Sequence, residues 1–461
     1  MVRSDRRGHW NVVTTMRRML GIDGAVAYTF VGRLVNIVSS VGTVLLIVRF
    51  LSPVEQGYYY TLLSLVALQV VFELGFSFVI LQLAAHESAL LKIYPDGRIE
   101  GDSNARSRLA SVLQLTVRWY FRAALALAFV LLPVGVLFFS RKVHAGDQVS
   151  WMGPWIAAVI AVSGTFLLTP LCSFLEGCNQ VRQVARLRMC QAFVVLAMSW
   201  ATIASGYGLY ACALVNLGWI AACLIFLVRR RRLLISLLRF PVSSMVVSWH
   251  EEIWPFQWRI AISWICSYFT MQVFTPILFA SRGPLEAGKM GLTLSIVGYI
   301  PILALCWVTP KAAPFGRLVK FGQFDELDAL FSRTLKQSLV LILLLSAACF
   351  AAVLGTRSLL PKIAARMESP TIFALLLLAA VCSFLVQSMA IYLRSFKREP
   401  YLVQSLVVSG LTLSCILVAA PRWGSMAIAI IYLGLGGVVA LIWASTIFRR
   451  FRDARPVTAG S

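Results

Sequence analysis

The sequence predicts an all-α polytopic membrane protein with about twelve transmembrane helices in two pseudo-symmetric six-helix bundles. Three features lead to this prediction: the composition, the number of long apolar stretches and an internal repeat. Hydrophobic residues make up 59% of the 461 residues, and charged residues only 13%. A soluble domain is typically about half apolar and a quarter charged. Most of this chain is therefore expected to lie in lipid.

Twelve apolar stretches follow one another along the chain, each about long enough to cross a hydrocarbon core of roughly 30 Å as a helix. They lie at 26–50, 58–84, 119–139, 153–175, 189–204 and 207–228 in the first half, and at 256–280, 286–308, 338–355, 371–393, 401–420 and 425–447 in the second. The connectors are mostly short. The two longest, 85–118 and 309–337, are predicted to be loops.

A short segment occurs twice, about half the chain apart. The first copy, Pro53–Gly57, lies between two apolar stretches, and the second copy, Pro284–Gly288, has the same setting and shares its proline, glutamate and glycine. Such a repeat predicts two related halves, an arrangement that builds membrane transporters around a central site. The two glutamates, Glu55 and Glu286, are expected to reflect folding geometry, and the glycines to permit close packing or an unusual backbone.

The basic residues predict the topology. They concentrate before the first stretch, at Arg229–Arg232 and after the last stretch, which places both termini in the cytoplasm under the positive-inside rule. The predicted parts are a cytoplasmic N-terminal segment at 1–25, a six-helix bundle at 26–228, a cytoplasmic linker at 229–255, a second bundle at 256–447 and a cytoplasmic tail at 448–461. Topology and contacts with anionic lipids account for most of the net charge of +23, so no nucleic-acid partner is expected.

The usual signatures of an enzyme are lacking in the sequence. The ten cysteines form no CxxC pair, and the four histidines, His9, His86, His144 and His250, lack the spacing of metal ligands. We therefore expect no catalytic residues, no metal site and no cofactor. The first 25 residues show no cleavable signal, so the first stretch is expected to act as an uncleaved anchor.

Polar side chains within the apolar stretches are the candidate functional residues. Arg33, Asn36, Ser40 and Thr43 follow helical spacing along one face of the first stretch, and Arg259, Ser263, Ser267 and Thr270 do so in the seventh. A charge in the membrane costs about 2.5–3.5 kcal/mol on insertion scales, so it is expected to face a partner or a polar cavity. We predict that Arg33, Asn36, Arg259 and Ser263 bind substrate, with the two cations gripping a phosphate. The alternative for Arg259 is snorkelling to the interface.

Glu73 is the strongest internal carboxylate, since it lies well inside the second apolar stretch. It is a candidate for coupling transport to protons or sodium ions. The alternative is a structural ion pair with Arg33. Both interpretations remain open on sequence grounds.

Several segments resemble the polysaccharide transporter family of the MOP exporter superfamily. They are Gly32–Asn36, Val48–Tyr59, Phe72–Phe76, Leu175–Val181 and Leu393–Arg398. The resemblance implies a MATE-like pair of bundles in the bacterial inner membrane. It further implies that the protein flips a polyprenyl-pyrophosphate-linked oligosaccharide to the outer leaflet by alternating access, for O-antigen or exopolysaccharide synthesis. The implied partners are this lipid-linked oligosaccharide and membrane lipids, with a polysaccharide polymerase and assembly proteins as candidates.

Beside a non-transport scaffold that helps a polysaccharide assembly complex, two alternatives are left open. One is a multidrug cation exporter of the same superfamily. Such an exporter needs acidic groups in its cavity, whereas the candidate residues here are two arginines, Arg33 and Arg259, and only one carboxylate, Glu73. The other is a polytopic polysaccharide polymerase or glycosyltransferase, which should carry a large external loop with catalytic residues. The outer connectors predicted at 140–152 and 356–370 are modest in length.

Overall fold

The computed structural model describes residues 24–94, 97–142, 149–241, 247–248, 253–396 and 400–454. It confirms an all-α polytopic membrane protein, with one small hairpin of strands. The helices are α1 Gly24–Phe50, α2 Pro53–Val66, α3 Gln69–Glu73, α4 Phe76–Ser88, α5 Ser103–Lys142, α6 Met152–Gly177, α7 Val181–Ala204, α8 Ala211–Val228, α9 Arg231–Leu238, α10 Trp254–Met271, α11 Phe274–Arg282, α12 Pro284–Val308, α13 Ala312–Lys320, α14 Phe324–Leu359, α15 Pro361–Ala364, α16 Pro370–Arg394, α17 Leu402–Ile431 and α18 Ala440–Asp453. The strands are β1 Leu91–Ile93 and β2 Ile99–Gly101.

Nine helices in the described part of the chain are long and apolar enough to cross a membrane, and ten if the bent pair Pro53–Glu73 and Phe76–Ser88 counts as one span. The predicted number is twelve. One difference arises at 402–453, which is a single continuous candidate although Gly424 has non-helical backbone angles inside it. The other arises at α10 and α11, two shorter helices that occupy the seventh predicted stretch.

Two helix breaks have local causes. Leu74 and Gly75, between α3 and α4, both have left-handed backbone angles, which a continuing helix does not accommodate. The α10–α11 break lies just before Pro276, whose missing N–H removes the bond that the carbonyl of Gln272 would otherwise accept. The predicted stretch at 58–84 is thus divided among α2, α3 and α4, and the stretch at 256–280 between α10 and α11.

The prediction of loops at 85–118 and 309–337 is wrong. The first of these segments contains the antiparallel hairpin β1–β2 and the first turns of α5, and the second contains α13 and the start of α14. Both α5 and α14 begin in polar, amphipathic sequence ahead of the apolar stretch that each contains. A search for apolar stretches does not detect such a start. Asp325 and Glu326 also favour the start of α14, because acidic residues stabilise the first turn of a helix.

Two compact units account for most of the packing. Unit 1 comprises residues up to Leu46 together with Gly75–Leu132 and Gly153–Gln257. Unit 2 comprises Ile47–Leu74, Pro133–Met152 and the residues from Trp258 onward. This division differs from the predicted boundaries at 26–228 and 256–447, and the division into two six-helix bundles stays a prediction.

Unit 1 is held by close contacts between helices that lie far apart in sequence. The rings of Phe76 and Tyr120 stack with centroids 5.9 Å apart, and the hydroxyls of Ser77 and Tyr120 are 3.0 Å apart. A Cβ on Gly177 would lie 2.6 Å from the carbonyl oxygen of Leu81, so α4 and α6 nearly touch there. The first two contacts join α4 to α5, and the third places the end of α6 against α4.

Unit 2 has an aromatic core at one end. Phe315, Phe331, Tyr392 and Phe448 pack together, with the rings of Phe331 and Tyr392 4.7 Å apart. The Tyr392 hydroxyl donates a hydrogen bond to the carboxylate of Asp328, which also lies 2.8 Å from a guanidinium nitrogen of Arg452. The core thus joins α13, α14, α16 and α18.

Candidate functional site

The polar face of α1 changes character along its length. Arg33 and Asn36 are exposed, whereas Ser40 and Thr43 are partly buried. The Ser40 hydroxyl donates to the backbone carbonyl of Asn36 (2.7 Å), and the Thr43 hydroxyl lies 3.4 Å from that of Ser199 on α7. The second half of this face therefore packs against α7, and the first half presents a cation and an amide at the surface of unit 1.

The corresponding face of α10 is described only at its end. Arg259, Ser263 and Ser267 lie on α10, but their side chains fall outside the described part of the structure. Thr270 is described: its hydroxyl donates to the carbonyl of Cys266 (2.7 Å) and lies 2.8 Å from the hydroxyl of Ser409 on α17. In both predicted stripes, the last threonine meets a serine of a neighbouring helix.

Glu73 lies at a helix end rather than inside a continuous helix. It is the last residue of the five-residue helix α3 and is partly buried, directly before the left-handed Leu74 and Gly75. Glu73 belongs to unit 2 and Arg33 to unit 1. Their pairing stays a prediction.

The two copies of the repeated segment contact one another within unit 2. A Cβ on Gly57 would lie 2.0 Å from the carbonyl oxygen of Pro284, and a Cβ on Gly288 would lie 2.9 Å from the backbone nitrogen of Gly57. The side-chain nitrogen of Gln56, which is 1% exposed, donates to the carbonyl of Gly288 (2.8 Å). The expectation that these glycines permit close packing is confirmed, and the two copies themselves form the contact.

Arg366 ties a third segment to this contact. Its guanidinium donates to the carbonyl of Leu51 (2.7 Å), and its own carbonyl accepts a second hydrogen bond from Gln56 (3.1 Å). Two residues further on, the backbone nitrogen of Glu368 donates to the hydroxyl of Thr293 on α12 (3.1 Å). Nothing in the spacing of Gln56 or Arg366 along the sequence distinguishes them from other connector residues, so these contacts are visible only in the structure.

The two glutamates of the repeat have different partners. Glu55 completes a capping box at the start of α2, in which its carboxylate accepts from the backbone of Ser52 (2.7 Å) and its own N–H donates to the Ser52 hydroxyl (3.1 Å). Glu286 instead reaches another helix and accepts hydrogen bonds from the backbone nitrogen (3.0 Å) and the hydroxyl (3.2 Å) of Ser425. Equivalent positions therefore stabilise unit 2 in two different ways.

Solved structures of membrane transporters share the fold. An inward-facing multidrug resistance MATE family transporter of the MOP superfamily matches with a TM-score of 0.55 and 11% identity, over 89% of this chain and 99% of that one. The lipid II flippase MurJ in an inward closed conformation matches with 0.58 and 12% identity, over 92% and 87%. The MATE multidrug transporter DinF-BH in complex with R6G matches with 0.55 and 14% identity, over 93% and 94%.

No protein-family model and no curated protein matches the sequence. The structural matches, at 11–14% identity, show the fold alone. The chain thus has the fold of MOP superfamily transporters, as the resemblance in its sequence implies at that level.

Proposed function

We propose that the protein flips a polyprenyl-pyrophosphate-linked oligosaccharide from the inner to the outer leaflet of the bacterial cytoplasmic membrane, by alternating access, for O-antigen or exopolysaccharide synthesis. The observation that carries this proposal is the exposed Arg33, followed by the exposed Asn36, on a helix of membrane-spanning length. A guanidinium there can hold a pyrophosphate by paired, charge-assisted hydrogen bonds, and an amide can bind sugar hydroxyls. Arg259 and Ser263 would supply the equivalent groups from the second half.

The fold supports a transporter without selecting the substrate, because the matched structures include a lipid II flippase and multidrug transporters. The second candidate function is export of hydrophobic cations. The partly buried Glu73 beside a helix break favours it, since a carboxylate can bind a cation. The candidate residues include two arginines, Arg33 and Arg259, and one carboxylate, Glu73, and this excess of positive charge favours an anionic substrate.

The test is reconstitution into liposomes that contain a polyprenyl-pyrophosphate-linked oligosaccharide. An impermeant reagent measures how fast the sugar becomes accessible in the opposite leaflet, and uptake of a hydrophobic cation is measured in parallel. Flipping of the lipid is the expected result. Transport of the cation without flipping would contradict the proposal and support the exporter.

Single variants then test the residues. Arg33→Ala or Arg259→Ala should lower flipping roughly ten- to a hundredfold, because one hydrogen bond to a charged group contributes about 1.5–3 kcal/mol. Lysine should restore only part of the rate, since it lacks the planar fork. Arg49→Ala is the matched control for Arg33→Ala, because Arg49 is also exposed and lies at the other end of α1. If all three alanine variants flip the lipid at the rate of the parent protein, neither candidate arginine binds the substrate.

A further inference from the structure

A basic cavity lies entirely within unit 1, where α4, α6, α7, α8 and α9 begin or end. Its volume is about 810 Å³, which is in the range of small-molecule sites. The charged and amide groups that line it are Asn179, Gln180, Gln183 and the four consecutive arginines Arg229–Arg232. By the positive-inside prediction, this end of the unit is cytoplasmic.

The four adjacent arginines all line this concave surface; Arg230 is partly buried and held by neighbouring residues, and the other three are exposed. The Arg230 guanidinium donates to the side-chain oxygen of Gln180 (2.5 Å) and lies 3.8 Å from the ring centroid of Phe226. On the other side, the hairpin turn approaches so closely that a Cβ on Gly97 would lie 2.9 Å from the backbone nitrogen of Leu233. Gly97 also has a φ of +91°, which favours glycine.

The charged side chains that line the cavity are all cationic within the part of the chain that the structure describes. None of the described lining residues is acidic. Two nearby carboxylates pair with arginines outside the lining: Glu87 lies 2.8 Å from Arg108, and Glu176 lies 2.6 Å from Arg188. A third, Glu100, accepts a hydrogen bond from the hydroxyl of the lining residue Tyr94 (2.8 Å). Burial and the neighbouring Arg229 lower the pKa of Arg230, as expected for crowded cations.

The N-terminus of α9 adds to the positive electrostatic potential of the cavity. Arg230 is its N-cap residue and makes no side-chain capping bond, so the Arg230 side chain does not occupy the first-turn N–H groups. The positive end of a helix dipole favours an anion there. Amide side chains of the 179–183 segment can donate further hydrogen bonds across the cavity.

We propose that this cavity binds a phosphate-bearing anion, held by Arg229, Arg231 and Arg232 and by the amides of Asn179 and Gln183. Two sources share this chemistry. One is the headgroup of an anionic phospholipid, which basic pockets between transmembrane helices on the cytoplasmic side recognise. The other is a soluble phosphate compound. The site is separate from Arg33 and does not depend on the proposed substrate.

Binding is measured on the purified full-length chain with two probes. Inorganic pyrophosphate is titrated against protein in neutral detergent, and retention of phosphatidylglycerol is measured by native mass spectrometry after reconstitution in mixed phosphatidylcholine and phosphatidylglycerol. Binding of the lipid alone would identify a headgroup site, and binding of pyrophosphate would identify a site open to soluble phosphates. Binding of neither probe would overturn the proposal.

The variant Arg231→Gln/Arg232→Gln should weaken binding at least about tenfold. The control Arg239→Gln/Arg449→Gln removes the same charge from exposed positions outside the cavity, and Arg239 directly follows the same helix. Gln183→Glu should also weaken binding, and it leaves every topology-determining arginine in place. Equal affinity in the parent and both cavity variants would show that the arginines act only as topology signals.

Discussion

The contact between the two copies of the repeat makes Gly57→Ala a sharp test of the packing in unit 2. The new methyl group would lie 2.0 Å from the carbonyl oxygen of Pro284 and 2.6 Å from its carbonyl carbon, whereas ordinary contacts of a Cβ lie at 3.4–4 Å. Both atoms belong to the backbone, so no side chain can rotate away. The helices must separate by more than about 1 Å, a strain that typically costs about 1–3 kcal/mol.

The separation should also weaken the hydrogen bond from Gln56 to the Gly288 carbonyl, which contributes about 1 kcal/mol. The expected destabilisation is therefore about 2–4 kcal/mol. For a unit of this size, each kcal/mol lowers Tm by about 2–4 °C, so Tm should fall by roughly 5–15 °C. Thermal unfolding in mild detergent, followed by fluorescence-detected gel filtration, measures this change.

The matched control is Gly298→Ala. Gly298 lies on α12, the helix that carries the second copy, and a Cβ there would meet nothing within 4 Å. Alanine is favoured over glycine inside a helix by up to about 1 kcal/mol, so this variant should be as stable as the parent or slightly more stable. Equal Tm values for the two alanine variants would refute the close contact at Gly57.

Two further predictions concern carboxylates. Glu73→Gln should leave Tm unchanged and weaken the response of transport to an imposed proton or sodium gradient. A lower Tm that Arg33→Gln/Glu73→Gln partly restores would instead support a structural ion pair, and an unchanged response in a stable variant would remove Glu73 from coupling. Burial, together with nearby Glu286, raises the pKa of Glu368 above its ordinary 4.5, so stability should be full below that value and fall as pH rises through the raised pKa. Glu368→Gln should flatten the dependence of Tm on pH between about 4 and 8, and an equal slope in parent and variant would contradict this.

The features that the sequence predicts well depend on composition and short-range periodicity. Lipid excludes backbone groups that lack a hydrogen-bond partner, so a chain of long apolar stretches must form helices. The close packing at Gly57 and Gly288 is also readable, because a glycine between bulky neighbours in a repeated segment indicates an approach that a side chain would block. The polar starts of α5 and α14 are not predicted in the same way, because a search for high mean hydropathy finds apolar segments and misses amphipathic helices.

The candidate site is predicted less completely, because its missing members depend on long-range contacts. Arg366 reaches Leu51 across more than 300 positions of sequence, and no local pattern connects them. Arg229–Arg232 illustrate a different limit. The run is visible in the sequence and is explained there by topology, but its concave arrangement depends on the Gly97 turn and on Gln180.

The repeat also shows why equivalence of position does not imply equivalence of role. Ser52 precedes the first copy, so the carboxylate of Glu55 is used locally, in a capping box. Gly283 precedes the second copy and offers no hydroxyl, so the carboxylate of Glu286 is available to bind Ser425 beside the left-handed Gly424. A difference at the preceding position thus converts a local cap into a contact between helices. The same reasoning applies to Arg33 and Arg259, which are equivalent in the predicted stripes but have different neighbours in sequence. Each arginine has to be replaced separately, because the loss of flipping in one variant carries no information about the other half.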